Sequence, residues 1–279
     1  MAIQRRAEGE RKTVRIRINE KEVDVVAGMT MDELHRSFRP ESDVCILNGF
    51  PAPGESVIRE DDELFFITRG VLPAREDLEY LMMARHTPGV HEKLKRATVG
   101  IAGVGGLGSN VATALARVGI GTLIIADFDV VEPSNLNRQH YFVDQLGLPK
   151  VAALTDTLRR INPYLTVKPH HCLLNPDNVP EIFATCRVVV EAFDRAEMKS
   201  MLVETVLVEL PGSVVVAASG LAGFGPSNEI VTRKISGRFW LVGDMVSAAA
   251  PGAGLMAPRV GIAASHQANQ VVRIILGEE

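Results

Sequence analysis

A mostly parallel α/β sheet with helices on both faces, preceded by a small mixed domain, is the fold class this sequence predicts. Three observations carry it. An apolar run, Val99-Gly100-Ile101-Ala102, passes through Gly103-Val104-Gly105-Gly106-Leu107-Gly108 into a segment of helical spacing, Ser109 to Arg117. A second apolar run, Leu123 to Ala126, ends on Asp127, completing a strand–turn–helix–strand unit. Ahead of this, Val14, Ile16 and Ile18 alternate with Arg15, Arg17 and Asn19, the period of a half-buried strand.

In chain order, Met1 to Lys12 is charged and lacks an apolar segment, so residues 1–12 are expected to be a disordered lead-in and not a secretory signal. Residues 13–70 read as the small domain. After the first strand, Asn19 to Glu22 is a turn, and Val23, Val25 and Ala27 resume the alternation. Thr30-Met31-Asp32-Glu33 is a capping box that opens a short helix through Leu34 and Phe38. Val44 to Leu47 is a third strand, Asn48-Gly49 a turn, and Leu64 to Ile67 a last strand after the acidic Asp61-Asp62-Glu63. Two strands, one helix and further strands make a β-grasp, the ubiquitin-like fold, with a generic small α+β domain as the alternative.

Residues 71–97 read as a helical linker broken at Pro88-Gly89, since proline cannot continue the hydrogen-bond ladder. The larger domain, 98–279, is expected to be Rossmann-like. Val151 to Ile161 is a helix stopped by Asn162-Pro163, Leu165 to His170 a strand, and Asn178 to Phe183 a short helix. Arg187 to Ala192 is a buried strand that delivers Phe193-Asp194 to the carboxyl edge, where sheets of this class bind ligands. Met198 to Val208 is helical, Ser213 to Ser219 a central strand, and Glu229–Arg233 with Arg238–Val242 an antiparallel extension. Ala253 to Leu276 is mostly helix, with Pro258 near its first turn.

Composition narrows the function. At 279 residues and 46% hydrophobic the chain can hold one large domain or a large and a small one. A net charge of −4 without a basic patch argues against nucleic acid, and the apolar runs are too short to span a bilayer. Cys45, Cys172 and Cys186 form no Cys-x-x-Cys pair and no disulfide framework, and each reads as a small buried hydrophobe. A soluble cytoplasmic protein is the expectation.

The glycine turn has a physical purpose. Glycines let the backbone turn tightly and bring bare N–H groups at a helix start up to phosphate oxygens. Asp127, at the strand end, is placed to accept hydrogen bonds from ribose. Nicotinamide and flavin enzymes carry the same pattern, so an NAD-dependent oxidoreductase is a remote alternative. The polar residues beyond Asp127 separate the two. Ser134-Asn135-Leu136-Asn137-Arg138-Gln139 and Gly147-Leu148-Pro149-Lys150 set an arginine and a lysine just beyond the strand ends. A triphosphate needs such cations as charge develops between its phosphates.

These motifs, continued by Val190-Glu191-Ala192-Phe193-Asp194 and Leu255-Met256-Ala257-Pro258-Arg259, resemble the ThiF/MoeB family of adenylating enzymes, relatives of the ubiquitin-activating enzymes. The details look most like the ThiF branch, which activates the sulfur carrier ThiS in thiamine (thiazole) biosynthesis. Ile46-Leu47-Asn48-Gly49 and Thr68-Arg69-Gly70 make the small domain resemble ThiS itself.

The resemblance implies a nucleotidyltransferase that joins ATP to the terminal carboxylate of a ThiS-like carrier supplied in trans. It implies that Gly103, Gly105, Gly106 and Gly108 face the phosphates, with close helix–sheet packing as the alternative chiefly for Gly108, and that Asp127 binds ribose. Ser134, Asn135 and Leu136 would shape the nucleotide pocket, largely through backbone and the Asn amide, and Arg138, Gln139 and Lys150 would meet the nucleotide, with Arg138 and Lys150 gripping the phosphates. Asp194 would hold Mg²⁺, a hard cation suited to a carboxylate. Arg195 stands where many relatives have an amide. Two Cys-x-x-Cys pairs that hold zinc in many relatives are missing, so no zinc is expected. The family forms homodimers, and Arg85 is the candidate for an arginine that reaches the partner's ATP. A MoaD-like carrier, or a non-catalytic scaffold occupied by its own ubiquitin-like domain, are the alternative functions.

Overall fold

The computed structural model describes residues 12–75, 77–78 and 89–278. Two units make up the chain, Met1–His86 and Thr87–Glu279. In the first, β1 (Thr13–Ile18) and β2 (Lys21–Val26) form a hairpin whose loop residues, Asn19 and Glu20, both have positive φ. That turn matches the right-handed twist of the strands it joins. The predicted capping box is present at α1 (Met31–Phe38): the Glu33 N–H donates to Thr30 Oγ1, and the Thr30 N–H donates to Glu33 Oε2 at 2.9 Å. With β3 (Val44–Leu47), β4 (Phe50–Pro51) and β5 (Glu63–Ile67), the sheet order is β2-β1-β5-β3-β4. Parallel β1 and β5 lie at its centre, over a core of Ile16, Ile18, Met31, Leu34, Leu64 and Phe66. This is the expected β-grasp. Its short β4 was not foreseen, because proline is a poor strand former except on an edge.

Beyond the sheet the chain turns instead of entering a helix. Gly70 has φ +71°, and the Val71 N–H donates to the Thr68 carbonyl at 3.3 Å. Asp77 is then held by Lys21 at 2.6 Å and Arg39 at 2.8 Å, and these contacts, Lys21 first, keep its carboxyl below the usual range. The expected linker helix thus begins only after residue 74, and Arg85 lies outside the described residues.

The second unit is built on α2 (Val90–Arg96) and a seven-stranded sheet of order β11-β12-β10-β9-β6-β7-β8. Its strands are β6 (Thr98–Ala102), β7 (Thr122–Asp127), β8 (Thr166–His171), β9 (Val188–Glu191), β10 (Val214–Ala218), β11 (Val231–Ser236) and β12 (Phe239–Gly243). All neighbours are parallel except β11 and β12. The expected antiparallel extension is therefore one strand: β12 continues the parallel sheet beside β10, and only β11 reverses.

Residue alternation along the strands feeds two cores. Ile101, Leu123, Ile125, Val188, Val190 and Val216 pack with α3 (Gly106–Arg117), α4 (Lys150–Ile161) and α7 (Ala257–Leu276). Ala102, Ile124, Val189 and Val215 pack with α5 (Val179–Phe183) and α6 (Ala196–Glu209) on the other face. Helices on both faces leave the carboxyl ends of the strands as the open edge.

Candidate active site

Along that edge runs a cleft of about 680 Å³. The glycine turn forms one wall, and it is shorter than the sequence suggests, because α3 starts at Gly106 and not at Ser109. Gly103 has φ +84°, and a Cβ there would meet the Ala192 carbonyl at 3.0 Å. No side chain caps α3, so its first N–H groups have no side-chain acceptor. Gly103, Gly105 and Gly106 line the cleft. Gly108, expected beside them, does not. It is buried, and a Cβ would stand 1.9 Å from the Gly103 carbonyl oxygen, so it serves the close approach of helix to strand end.

Asp127 ends β7 at the back of the cleft. Its Oδ2 accepts the Val104 N–H at 2.7 Å and its Oδ1 the Asp129 N–H at 2.8 Å. The carboxylate thereby pins the glycine turn and the turn after β7, with each oxygen keeping a second lone pair. Tyr141 supports the same turn by donating to the Val104 carbonyl at 2.7 Å. Burial, and then Asp127 and Asp129, raise its phenol well above the ordinary range, so it remains a donor.

The Ser134–Gln139 segment makes the next wall. Asn135 is buried, and its amide oxygen accepts the Glu132 N–H at 3.0 Å, so it shapes the loop from within. Ser134 lines the cleft, whereas the Leu136 side chain packs against the large core, so its expected part in the pocket falls to its backbone. Arg138 is held by the Ser134 carbonyl at 3.1 Å and Asn137 Oδ1 at 2.8 Å, while its Nε is buried without a partner among the described residues. Gln139 is buried beside Gly105 with an equally unpartnered Oε1. Lys150 opens α4 almost wholly buried, its ammonium 2.7 Å from Asp129 Oδ2.

Asp194 stands exposed on the opposite wall, and no described residue pairs with it. Arg195 turns to Glu197 instead, at 3.9 Å. Cys172 also reaches the cleft, with burial raising its thiol, whereas Cys186 is buried in the core and pushed up to about 12. Neither is a poised thiolate. Among the described residues no group of three or more His, Cys, Asp or Glu side chains could hold a metal ion.

Two arrangements escaped the sequence reading. The buried Glu191 pairs with the half-buried Lys199 at the strand end that precedes Asp194. The available signal was a charged residue closing the apolar run Val188-Val189-Val190. Arg259, on α7, pairs with Asp244 at 2.6 Å and donates to the carbonyls of Gly225 and Pro226, tying two loops of the far wall. Burial would raise the Asp244 carboxyl, but hydrogen bonds from Ser247, Val246 and Arg259 outweigh it and hold it below the usual range.

Comparison with known proteins shows the family. Residues 79–279 match the ThiF family, and residues 14–70 match a ThiS-like ubiquitin. The molybdopterin-synthase adenylyltransferase of Salmonella typhimurium is 33% identical over 190 residues, 66% of this chain and 75% of that protein. Its Escherichia coli counterpart is 30% identical over 67% of this chain and 76% of its own. The adenylyltransferase and sulfurtransferase MOCS3 of Xenopus laevis is 38% identical over 46% of this chain, which spans only 28% of that protein's length. Among solved structures, E. coli tRNA N6-threonylcarbamoyladenosine dehydratase, TcdA, in complex with ATP, has a TM-score of 0.66 at 20% identity, over 75% of this chain and 98% of that one. The last likeness concerns the fold alone. On its sequence match across the whole of the larger unit, the chain belongs to the ThiF family and carries a ThiS-like ubiquitin domain ahead of its ThiF domain.

Proposed function

We propose that this chain is a nucleotidyltransferase that uses ATP to adenylate the C-terminal carboxylate of a ubiquitin-like sulfur carrier. One observation carries the reading: the cleft sets an arginine with an unused buried N–H beside an uncapped glycine-rich helix start. A carboxylate is already a nucleophile, so the reaction needs positioning and charge stabilisation but no general base. The carrier's carboxylate oxygen bonds to the α-phosphorus of ATP as the bond to the β-phosphate breaks and pyrophosphate leaves. Gly103, Gly105, Gly106, Arg138 and Lys150 serve the phosphates, and Asp127, Ser134, Asn135 and Gln139 the nucleoside side.

Mg²⁺ suits the residues present. It is commonly held by one or two carboxylates together with substrate phosphates, and Asp194 offers one unpaired carboxylate to the cleft. Bound there with ATP, the ion would neutralise phosphate charge. Asp194 is the residue assigned to hold it.

A ThiS-like carrier in thiamine biosynthesis is the first reading for the substrate, supported by the ThiF family match and the ThiS-like domain. A MoaD-like carrier is the second, favoured by the names of the relatives matched over three-quarters of their length. ATP–pyrophosphate exchange with each free carrier separates them. No exchange with either would leave the scaffold alternative.

The carrier is supplied in trans. Gly70 is joined by a peptide bond to Val71, so it has no carboxylate to attack ATP, and Asp77 holds the adjoining segment to its own domain. Intact-mass measurement after incubation with MgATP should show one uncleaved, unmodified chain. Cleavage after Gly70 with an adenylated fragment would make the domain cargo and overturn this reading. The family resemblance further assigns a homodimer, with Arg85 crossing to the partner's nucleotide. Sedimentation should give a dimer at micromolar protein; an active monomer would remove both assignments.

A further inference from the structure

Four lysine and arginine residues line the cleft; Arg195 turns to Glu197, and hydrogen bonds divide the other three. Arg138 keeps an unpartnered Nε, and Lys150 has one carboxylate partner. Lys199 is spent. Its ammonium donates to both Glu191 oxygens at 3.0 Å and to the Ala218 carbonyl at 3.1 Å, three acceptors for its three donors. No N–H remains for a phosphate, although the side chain lies on the cleft wall.

What Lys199 holds is informative. Glu191 closes β9 with 0% exposure, and its Oε1 accepts the Phe193 N–H at 2.7 Å. Its Oε2 accepts the Ala218 N–H at 3.4 Å. The carboxylate therefore folds the chain back on itself immediately before Asp194 and joins that turn to the end of β10. Burial pushes the Glu191 carboxyl up, with Lys199 and the backbone donors opposing the shift. Without Lys199 the buried carboxylate loses its counter-charge and the reason to stay ionised.

We infer that Lys199 is a positioning residue for Asp194: through the buried Glu191 carboxylate it fixes the β9–α6 turn, and it does not itself bind nucleotide. The inference rests on the adenylation reading and adds a residue pair to its site. The consequence is specific. Removing the lysine should weaken metal binding with nucleotide, and removing both charges together should repair the loss. In the Glu191→Gln, Lys199→Met double variant, the amide oxygen can take the Phe193 N–H and no charge is left buried without its partner, while the amide NH₂ replaces the oxygen that accepted the Ala218 N–H.

The test uses the full chain with Mn²⁺ as the probe, read by its electron paramagnetic resonance in the presence of a non-hydrolysable ATP analogue. Lys199→Met should lower the apparent Mn²⁺ affinity by about 10-fold, the low end of the loss for groups that orient a metal ligand, because Lys199 acts through Glu191 and the Phe193 backbone. Hydrogen exchange of the Phe193 and Ala218 amides in the free protein should quicken, with α3 amides unchanged. The double variant should return Mn²⁺ affinity close to wild type although it has no cation at either position. A double variant as weak as the single would assign Lys199 to the nucleotide and overturn the inference, as would unchanged affinity in Lys199→Met. Should Lys199→Met fail to fold, the double variant decides alone. Wild-type protein that binds no Mn²⁺–nucleotide would defeat the adenylation reading itself, and this inference with it.

Discussion

Replacing Arg138 by alanine should lower carrier-dependent ATP–pyrophosphate exchange by about 10²- to 10³-fold, the scale of losing one preorganised donor to developing charge. The expectation comes from how the side chain is held. The Ser134 carbonyl and Asn137 fix the guanidinium through one terminal nitrogen, and the Nε–H is buried without an acceptor. A buried donor left unsatisfied costs about 1–3 kcal/mol, a cost that an incoming phosphate oxygen would relieve. Folding should change little, because the two bonds lost, worth about 0.5–1.5 kcal/mol each, are offset by removal of the unsatisfied buried Nε–H. Lysine would not restore the activity, since it replaces a planar fork by a point charge. Lys150 is a poorer place for the same test. It is nearly buried and paired with Asp129, so its removal disturbs the fold as well as the site. Exchange by Arg138→Ala within a few-fold of wild type, at unchanged thermal stability, would remove the residue from the mechanism.

Much of this molecule was legible in its sequence because its elements obey local rules. The alternation at Val14, Ile16 and Ile18, the capping box at Thr30 and Glu33, and Pro258 at a helix start each depend on neighbouring residues, and each element formed. The glycine run was legible as a turn, and its packing alternative already fell chiefly on Gly108. Whether a glycine faces a ligand or a packed backbone depends on the approach of another segment, and Gly108 meets the Gly103 carbonyl. The place of the Leu136 side chain was hidden for the same reason, since a motif's apolar member is as easily its anchor in the core. Glu191 and Lys199 escaped because a pair formed between a strand end and a helix has no periodic signature. The role of β12 was hidden too: a strand's partner on its far side comes from the sheet order.

The second large effect concerns Asp194. Four carboxylates line the cleft, and three are engaged. Asp127 accepts two backbone N–H groups, Asp129 faces the Lys150 ammonium, and Glu132 accepts the Ser134 hydroxyl. Asp194 alone has no partner among the described residues, so its charge is free for a cation carried in with the nucleotide. Asp194→Asn keeps the shape and removes that charge. Being exposed, the substitution should move stability by no more than about 0.5 kcal/mol. Carrier-dependent exchange at saturating Mg²⁺ should nevertheless fall by about 10²-fold or more, since metal stabilisation of phosphoryl charge is worth several kcal/mol. Nucleotide binding should persist, more weakly, because Arg138, Lys150 and the glycine turn are untouched. The variant also separates the ligand from its support. Asp194→Asn should leave exchange of the Phe193 amide at its wild-type rate, because Glu191 still accepts that N–H, whereas Lys199→Met should quicken it. A Mg²⁺ titration in which Asp194→Asn matches wild type would assign the carboxylate to the surface and leave the metal to the phosphates alone.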